Sequence, residues 1–142
     1  MRKRPAREIR VLSIRQDHAD NIIYGSKWAE NRTWRTNYRG ELYIHASRWD
    51  GPPRPTVGNG IVGAIIGKVR LIDVVDLDDV PIGDELKFFR KVGKKHGLPT
   101  RPENLAHAHG PVCFIFADPE PLKAPIPALG KLNIWKFQIP AE

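Results

Sequence analysis

Three ionisable residues of mixed sign, Lys27, Glu30 and Arg32, fall within six positions, with Trp28 and Trp34 interleaved. An ammonium, a carboxylate and a guanidinium so close together can hold a phosphate or carbonyl oxygen, accept from amino groups, or steady an oxyanion. In an extended chain, residues two apart share a face, so Trp28, Glu30, Arg32 and Trp34 would line one together. Indoles alternating with opposite charges make a surface that can stack a flat ring and hydrogen-bond its edge. A solvent-facing Glu30–Arg32 pair flanked by two packed indoles fits the same pattern. A one-residue change of register would exchange Glu30 and Arg32 for Asn31 and Thr33.

The elements around this stretch can be read from periodicity and turn chemistry. Val11–Ile14 is a short apolar strand. Asp17–Tyr24 has the spacing of a helix through Ala19, Ile22 and Ile23, with Asp17 and Asp20 in its first turn and Gly25 where a left-handed cap belongs. Trp28–Arg35 and Glu41–Ala46 are expected to pair, joined through the turn Asn37-Tyr38-Arg39-Gly40. Leu42, Ile44 and Ala46 face one way; Tyr43, His45 and Ser47 face the other and either extend the site or form a solvated sheet face. Prolines make 49–59 a loop, which could act as a lid. Ile61–Leu77 is a long strand bent at Gly63 and Gly67, and such strands close small barrels. Asp73, Asp76, Asp78 and Asp79 are expected in a turn and helix start rather than at a metal. Asp84–Lys95 is a second helix with the apolar stripe Leu86, Phe89 and Val92. Its remaining face is basic: Lys87, Arg90, Lys91 and Lys94 are candidate contacts to a phosphate backbone. Val112–Ala117 is a strand covered on both faces, Pro119–Pro127 a proline loop, and Leu132–Ile139 a last strand with Trp135, Phe137 and Ile139 on one side. The sum is α+β: a small mixed β-barrel of five or six strands with helices packed at its openings.

The octet Gly25-x-Lys27-x-x-Glu30-x-Arg32 resembles the GxKxxExR signature of the ASCH domain, a branch of the PUA-like superfamily. The resemblance extends to Leu12-Ser13-Ile14-Arg15-Gln16, to Trp34–Gly40 and Leu42–Ser47, to Gly60–Gly63, to Gly110–Phe114 and to Gly130–Phe137. It implies a PUA-like barrel with a cleft between barrel and first helix that takes RNA, single-stranded nucleic acid or a modified nucleoside or nucleotide. Ser13, Arg15, Gln16, Lys27, Glu30, Arg32 and Trp34 would line the cleft, with Tyr38 and His45 as further candidates. It also implies an alternative, hydrolysis at the same cleft, either as a ribonuclease or as an amidohydrolase acting on N4-acylated cytidine. Lys27 and Glu30 would then be catalytic. Those amidohydrolases keep the lysine but have threonine where this chain has Glu30, so only Lys27 carries over. A carboxylate between two cations is moreover a weakened base. The family commonly has proline and an aromatic residue at the positions of Asp17 and His18, so His18 either shapes the mouth of the pocket or is simply exposed.

Composition bounds the rest. A chain of 142 residues with 41% hydrophobic and 27% charged content suits one globular domain, expected over 11–142 behind a basic arm at 1–10. A net charge of +7 favours a polyanionic partner. The single cysteine, Cys113, excludes an internal disulfide framework and suits a reducing cytoplasm. No run of about 18 apolar residues is present, so no membrane partner is expected. No metal or cofactor is expected either: His107 and His109 have no further ligands beside them. A protein-interaction module built on the proline loops has less support.

Overall fold

The computed structural model describes residues 6–48, 51, 57–101, 104 and 110–140. Eight elements follow in order: β1 (Ala6–Arg15), α1 (Gln16–Tyr24), β2 (Ala29–Arg32), β3 (Gly40–Ser47), β4 (Ala64–Asp76), α2 (Glu85–His96), β5 (Val112–Pro127) and β6 (Ile134–Pro140). The six strands make one mixed sheet in the order β2-β5-β4-β3-β1-β6. β1 runs parallel to β3, and the remaining pairs are antiparallel. The sheet is strongly curled: three strands separate β2 from β1 in its order, yet the Arg32 guanidinium donates to the Ser13 carbonyl at 2.9 Å. The result is α+β, as expected, and the small mixed barrel of five or six strands read from the sequence takes the form of a six-stranded curled half-barrel, with a seam between β2 and β1 that backbone pairing leaves open.

Alternation of side chains sorts the core into layers. Leu12 and Ile14 of β1, Leu42, Ile44 and Ala46 of β3, and Phe114 and Phe116 of β5 point into the concave side, where α1 lays Ala19, Ile22 and Ile23 on them. Helix α1 comes close because Gly67 has no side chain; a Cβ there would stand 2.7 Å from Ile23 Cδ1. Helix α2 packs Phe89 and Val92 on the opposite face, against Trp28, Ala29, Cys113 and Ile115. A third cluster, Ile9, Val11, Tyr43, Ile65 and Trp135, covers the outside of β1, β3 and β4.

Several sequence expectations change here. Strand β1 begins at Ala6 because β6 pairs with it from Ala6↔Pro140 to Leu12↔Ile134. Arg7 thereby reaches the Tyr43 hydroxyl at 2.6 Å and Arg10 lies over the Tyr38 ring; Arg2, Lys3 and Arg4 lie outside the described residues. β2 and β3 do not form a hairpin. β2 is four residues long and pairs with β5, while β3 lies between β1 and β4. Gly25 has φ −108° rather than a left-handed cap; glycine is required because a Cβ would run into Asn21. The left-handed cap follows α2 instead, at Gly97 with φ 69°. Leu86 is exposed, and Gly93 completes the buried stripe of α2. Strand β5 continues through Pro119, Pro121 and Pro127, where a loop was expected. From Ala117 onward β4 is its one paired neighbour among the described strands, which leaves an open edge of the kind that tolerates proline.

Candidate functional site at the barrel seam

The short strand β2 decides which side chains face the seam. Glu30 lies opposite Phe114 and Arg32 opposite Val112, so both point to the concave side; Ala29 and Asn31, opposite Ile115 and Cys113, point towards α2. Trp28, just ahead of the strand, does not join the Glu30 face. Its ring packs at 6.2 Å from Phe89 and its Nε1 donates to the Pro99 carbonyl at 2.8 Å. Trp34 stays on the concave side, edge-on to Phe114 with ring centroids 5.0 Å apart. The register read from the octet therefore holds for Glu30 and Arg32, and the expected aromatic partner on their side is Trp34 alone.

Charges facing an apolar interior need partners. Lys27 Nζ donates to Glu30 Oε1 at 3.2 Å, and these two side chains are only 4% and 9% exposed. Glu30 Oε2 lies 3.5 Å from the Arg32 guanidinium. Arg32 also donates to the Ser13 carbonyl, just beyond the point where β6 stops pairing with β1, and so stitches the seam. Burial lowers the Arg32 pKa and the neighbouring Glu30 opposes the change. Among the described residues its Nε, which is buried, has no partner.

The cluster continues onto the N-terminal turn of α1. Arg15 grips Asp17 through two contacts, Nε to Oδ1 at 2.6 Å and an NH2 nitrogen to Oδ2 at 3.0 Å. Burial pushes the Asp17 carboxyl up, but Arg15 and His18 together hold it below its ordinary value. The His18 ring stands between two cations: Arg15 at 2.6 Å from Nε2 and Lys27 at 2.9 Å from Nδ1. Burial, then the charge of Lys27, lower its pKa against the pull of Glu30 and Asp17, so the ring is neutral at physiological pH. His18 is thus a member of the network rather than an exposed residue. Its signal in the sequence was faint, because Lys27 is nine positions away and meets it only through the turn after α1.

The other candidates are distributed as follows. Gln16 donates to the buried Asp20 at 2.6 Å, and Asp20 also accepts from the Gly60 amide at 3.2 Å. The Ser13 and His45 side chains belong to the outer face: Ser13 Oγ accepts from Trp135 Nε1 at 3.1 Å and His45 Nε2 meets the Ala128 carbonyl at 2.8 Å. His45 is buried there, edge-on to Trp135, so this face is neither solvated nor joined to Lys27. The Tyr38 hydroxyl donates to the Glu41 carbonyl. Lys87, Arg90, Lys91 and Lys94 are all exposed on α2. Lys87 and Lys91 line a hollow of about 300 Å³ with Phe88, Val80, Pro81 and the carboxylates of Asp76, Asp79 and Asp84; Arg90 and Lys94 are not part of its lining. The Cys113 thiol is buried, its pKa pushed up to about 12, and Sγ contacts Asn31 Oδ1 at 3.1 Å, which fits a packing role. Among the described residues no group of His, Cys, Asp and Glu could hold a metal ion; His107 and His109 lie outside them, as do 49, 50 and 52–56 of the loop 49–59 expected to act as a lid. No described helix is long and apolar enough to cross a membrane.

With this geometry in hand, the similarities to known proteins can be placed. The ASCH domain family matches residues 12–123, which takes in every residue of the seam cluster. Activating signal cointegrator 1 of Homo sapiens is 27% identical over 132 residues, and the match covers 89% of this chain and 22% of the human protein. The chain therefore spans about a fifth of that relative's length. Among solved structures, ASCH from Zymomonas mobilis is similar with a TM-score of 0.45 and 18% identity, covering 83% of this chain and 72% of that one. A mutant form of the same protein gives 0.46 and 22% over the same shares. The chain belongs to the ASCH domain family.

Proposed function

We propose that this ASCH domain binds single-stranded nucleic acid, RNA above all, or a nucleotide, at the seam between β2 and β1. The observation that carries the reading is the buried Lys27–Glu30–Arg32 network on the concave side. Desolvating these groups is expensive, and apolar residues of the same volume would serve stability as well or better. A cluster kept at that expense, where pairing leaves the barrel open, is explained by a ligand. Arg15, Lys27 and Arg32 supply donors for phosphate or carbonyl oxygens, Glu30 accepts from base amino groups, and the Trp34 ring offers a stacking surface. Outside the seam, Arg90 and Lys94 are exposed without lining the α2 hollow and form the more effective backbone track; Lys87 and Lys91 share theirs with Asp79 and Asp84.

The test is salt-dependent binding of a short single-stranded RNA to wild type and to Lys27→Met/Glu30→Gln, which removes one charge of each sign. The account expects at least a tenfold loss at constant salt, about 1.4 kcal/mol. Equal affinity with the fold intact removes the seam from the interface.

A second reading, hydrolysis at the same place, is favoured by one observation: a neutral imidazole, His18, touches Lys27 beside Glu30. His18 would then move the proton while Lys27 steadies the developing charge on an acyl oxygen or a phosphorane. Turnover of N4-acetylcytidine or cleavage of RNA, indifferent to EDTA and lost in His18→Asn, would select it. Intact substrates with saturable binding select the binding module.

A further inference from the structure

The hollow beside α2 is apolar at its floor. Val80, Pro81 and Phe88 line it, and its volume is about 300 Å³. Phe88 is braced from behind by the buried Phe89, edge-on with ring centroids 5.4 Å apart. Next to these lining residues in the chain, Ile82 is fully exposed and Leu86 is 47% exposed. Large apolar side chains held open beside a preformed hollow are the mark of a contact surface. A hollow of this size admits one large side chain of a partner rather than a folded surface.

The charges around the hollow select its occupant. From Leu71 to Leu86 there is no lysine or arginine, yet Asp73, Asp76, Asp78, Asp79, Asp84 and Glu85 all fall there, in a chain whose net charge is +7. Some of these acids are matched internally. Asp73 meets His96 at 2.9 Å, Asp76 meets Arg35 at 2.6 Å, and Glu85 accepts from the Gly83 amide at 2.9 Å. Asp78, Asp79 and Asp84 are exposed and, among the described residues, have no ion-pair partner. Asp84 heads α2, but its side chain makes no capping bond, so its carboxylate stays open to a partner. A nucleic-acid strand would bring its phosphates against Asp79 and Asp84. A second copy meeting this face through a two-fold axis would set the same acids against each other. A neutral molecule would cover the carboxylates and give them nothing in return. A cationic protein segment with an apolar anchor matches both the floor and the rim.

We propose that the α2 hollow is a docking site for a basic segment of a partner protein. One large apolar side chain of that segment enters against Val80, Pro81 and Phe88, and arginine or lysine residues beside it pair with Asp79 and Asp84. Lys87 and Lys91, one turn apart on α2, meet backbone carbonyls of the same segment. The site shares no residue with the seam, and the proposal does not rest on what the seam binds.

Three short synthetic peptides with blocked ends, titrated into the nitrogen-15-labelled full chain, test this. The first has a leucine–phenylalanine pair flanked on both sides by arginines. The second has glutamates in place of the arginines, and the third has serines in place of the apolar pair. The first should bind with amide shifts centred on Asp76–Lys91 and the seam silent. Its affinity should exceed that of either other peptide about tenfold, and Asp79→Asn/Asp84→Asn should weaken it by about the same factor. Both aspartates are exposed, so this variant should keep the wild-type Tm and bind single-stranded RNA no less tightly. Ile82→Ser, at a fully exposed position, is the second variant and should weaken the first peptide about threefold. No shift over 76–91 with the first peptide at millimolar excess overturns the proposal. Equal affinity for the glutamate peptide, or for the serine peptide, does so as well. RNA that shifts the hollow more strongly in Asp79→Asn/Asp84→Asn than in wild type assigns the hollow to nucleic acid and overturns it. Concentration-dependent broadening over 76–91 without peptide assigns it to a second copy, with the same consequence.

Discussion

Replacing Glu30 by Gln probes the network through its only buried anion on β2. The amide keeps the size of the side chain and can still accept from Lys27, but the charge is lost. One ammonium 4% exposed and one guanidinium 20% exposed then lack their counterion. Breaking a buried pair from one side costs about 3–5 kcal/mol. A surviving hydrogen bond to Lys27 returns about 1 kcal/mol, and water reaching the outer part of Arg32 returns some more. The expected loss for Glu30→Gln is therefore about 2–4 kcal/mol, or about 5–15 °C in Tm at this size. Urea unfolding followed by tryptophan fluorescence reads it as a lower midpoint at unchanged slope. Lys27→Met/Glu30→Gln should be more stable than Glu30→Gln alone, because the ammonium goes with the carboxylate. A Glu30→Gln midpoint within about 0.5 kcal/mol of wild type would refute the reasoning, as would a double variant at least as destabilised as the single one.

Other expectations follow from the same geometry. His18 has a folded pKa below its ordinary 6.5, so the unfolded chain binds more protons. Its contribution to stability is complete above 6.5 and is lost as pH falls from there through the folded value; urea midpoints of wild type against His18→Asn should show that slope in wild type only. Gly67→Ala would drive a Cβ to 2.7 Å from Ile23 Cδ1 and 2.8 Å from the Glu120 carbonyl. It should cost about 1–3 kcal/mol by thermal unfolding, and no loss would mean that α1 does not rest on β4. Reversing Arg90 and Lys94 to Glu should leave Tm nearly unchanged while RNA affinity falls and the salt slope drops by about 2. An unaltered slope takes that face of α2 out of the interface.

The parts of this fold that were legible in the sequence are those where a local rule and the tertiary answer coincide. Ala19, Ile22 and Ile23 recur at helical spacing and do pack inward; Leu42, Ile44 and Ala46 alternate and do share the concave face. Glu30 and Arg32 were placed correctly for the same reason, since two residues apart in a strand means one face. Strand partners were not legible. β2 looked like one arm of a hairpin because Gly40 makes a good turn, yet β5, some eighty positions later, supplies its partner. Prolines hid the second half of β5, because proline forbids a central strand but tolerates an open edge. Trp28 lies one step before the strand, outside the alternation that places its neighbours, and so turns to α2. His18 meets Arg15 and Lys27 only after α1 is docked, and no spacing rule reports a contact made by docking.

The central claim is that ligand enters at the β2–β1 seam. Backbone amide shifts, recorded while a single-stranded RNA is titrated into the labelled protein, test it most directly. The account predicts that the largest changes fall on Arg15–His18 and Lys27–Arg32, with smaller ones along the outer face of α2. Changes confined to the α2 hollow, or to the outer face around Ser13, His45 and Trp135, with the seam silent at saturation, would contradict it.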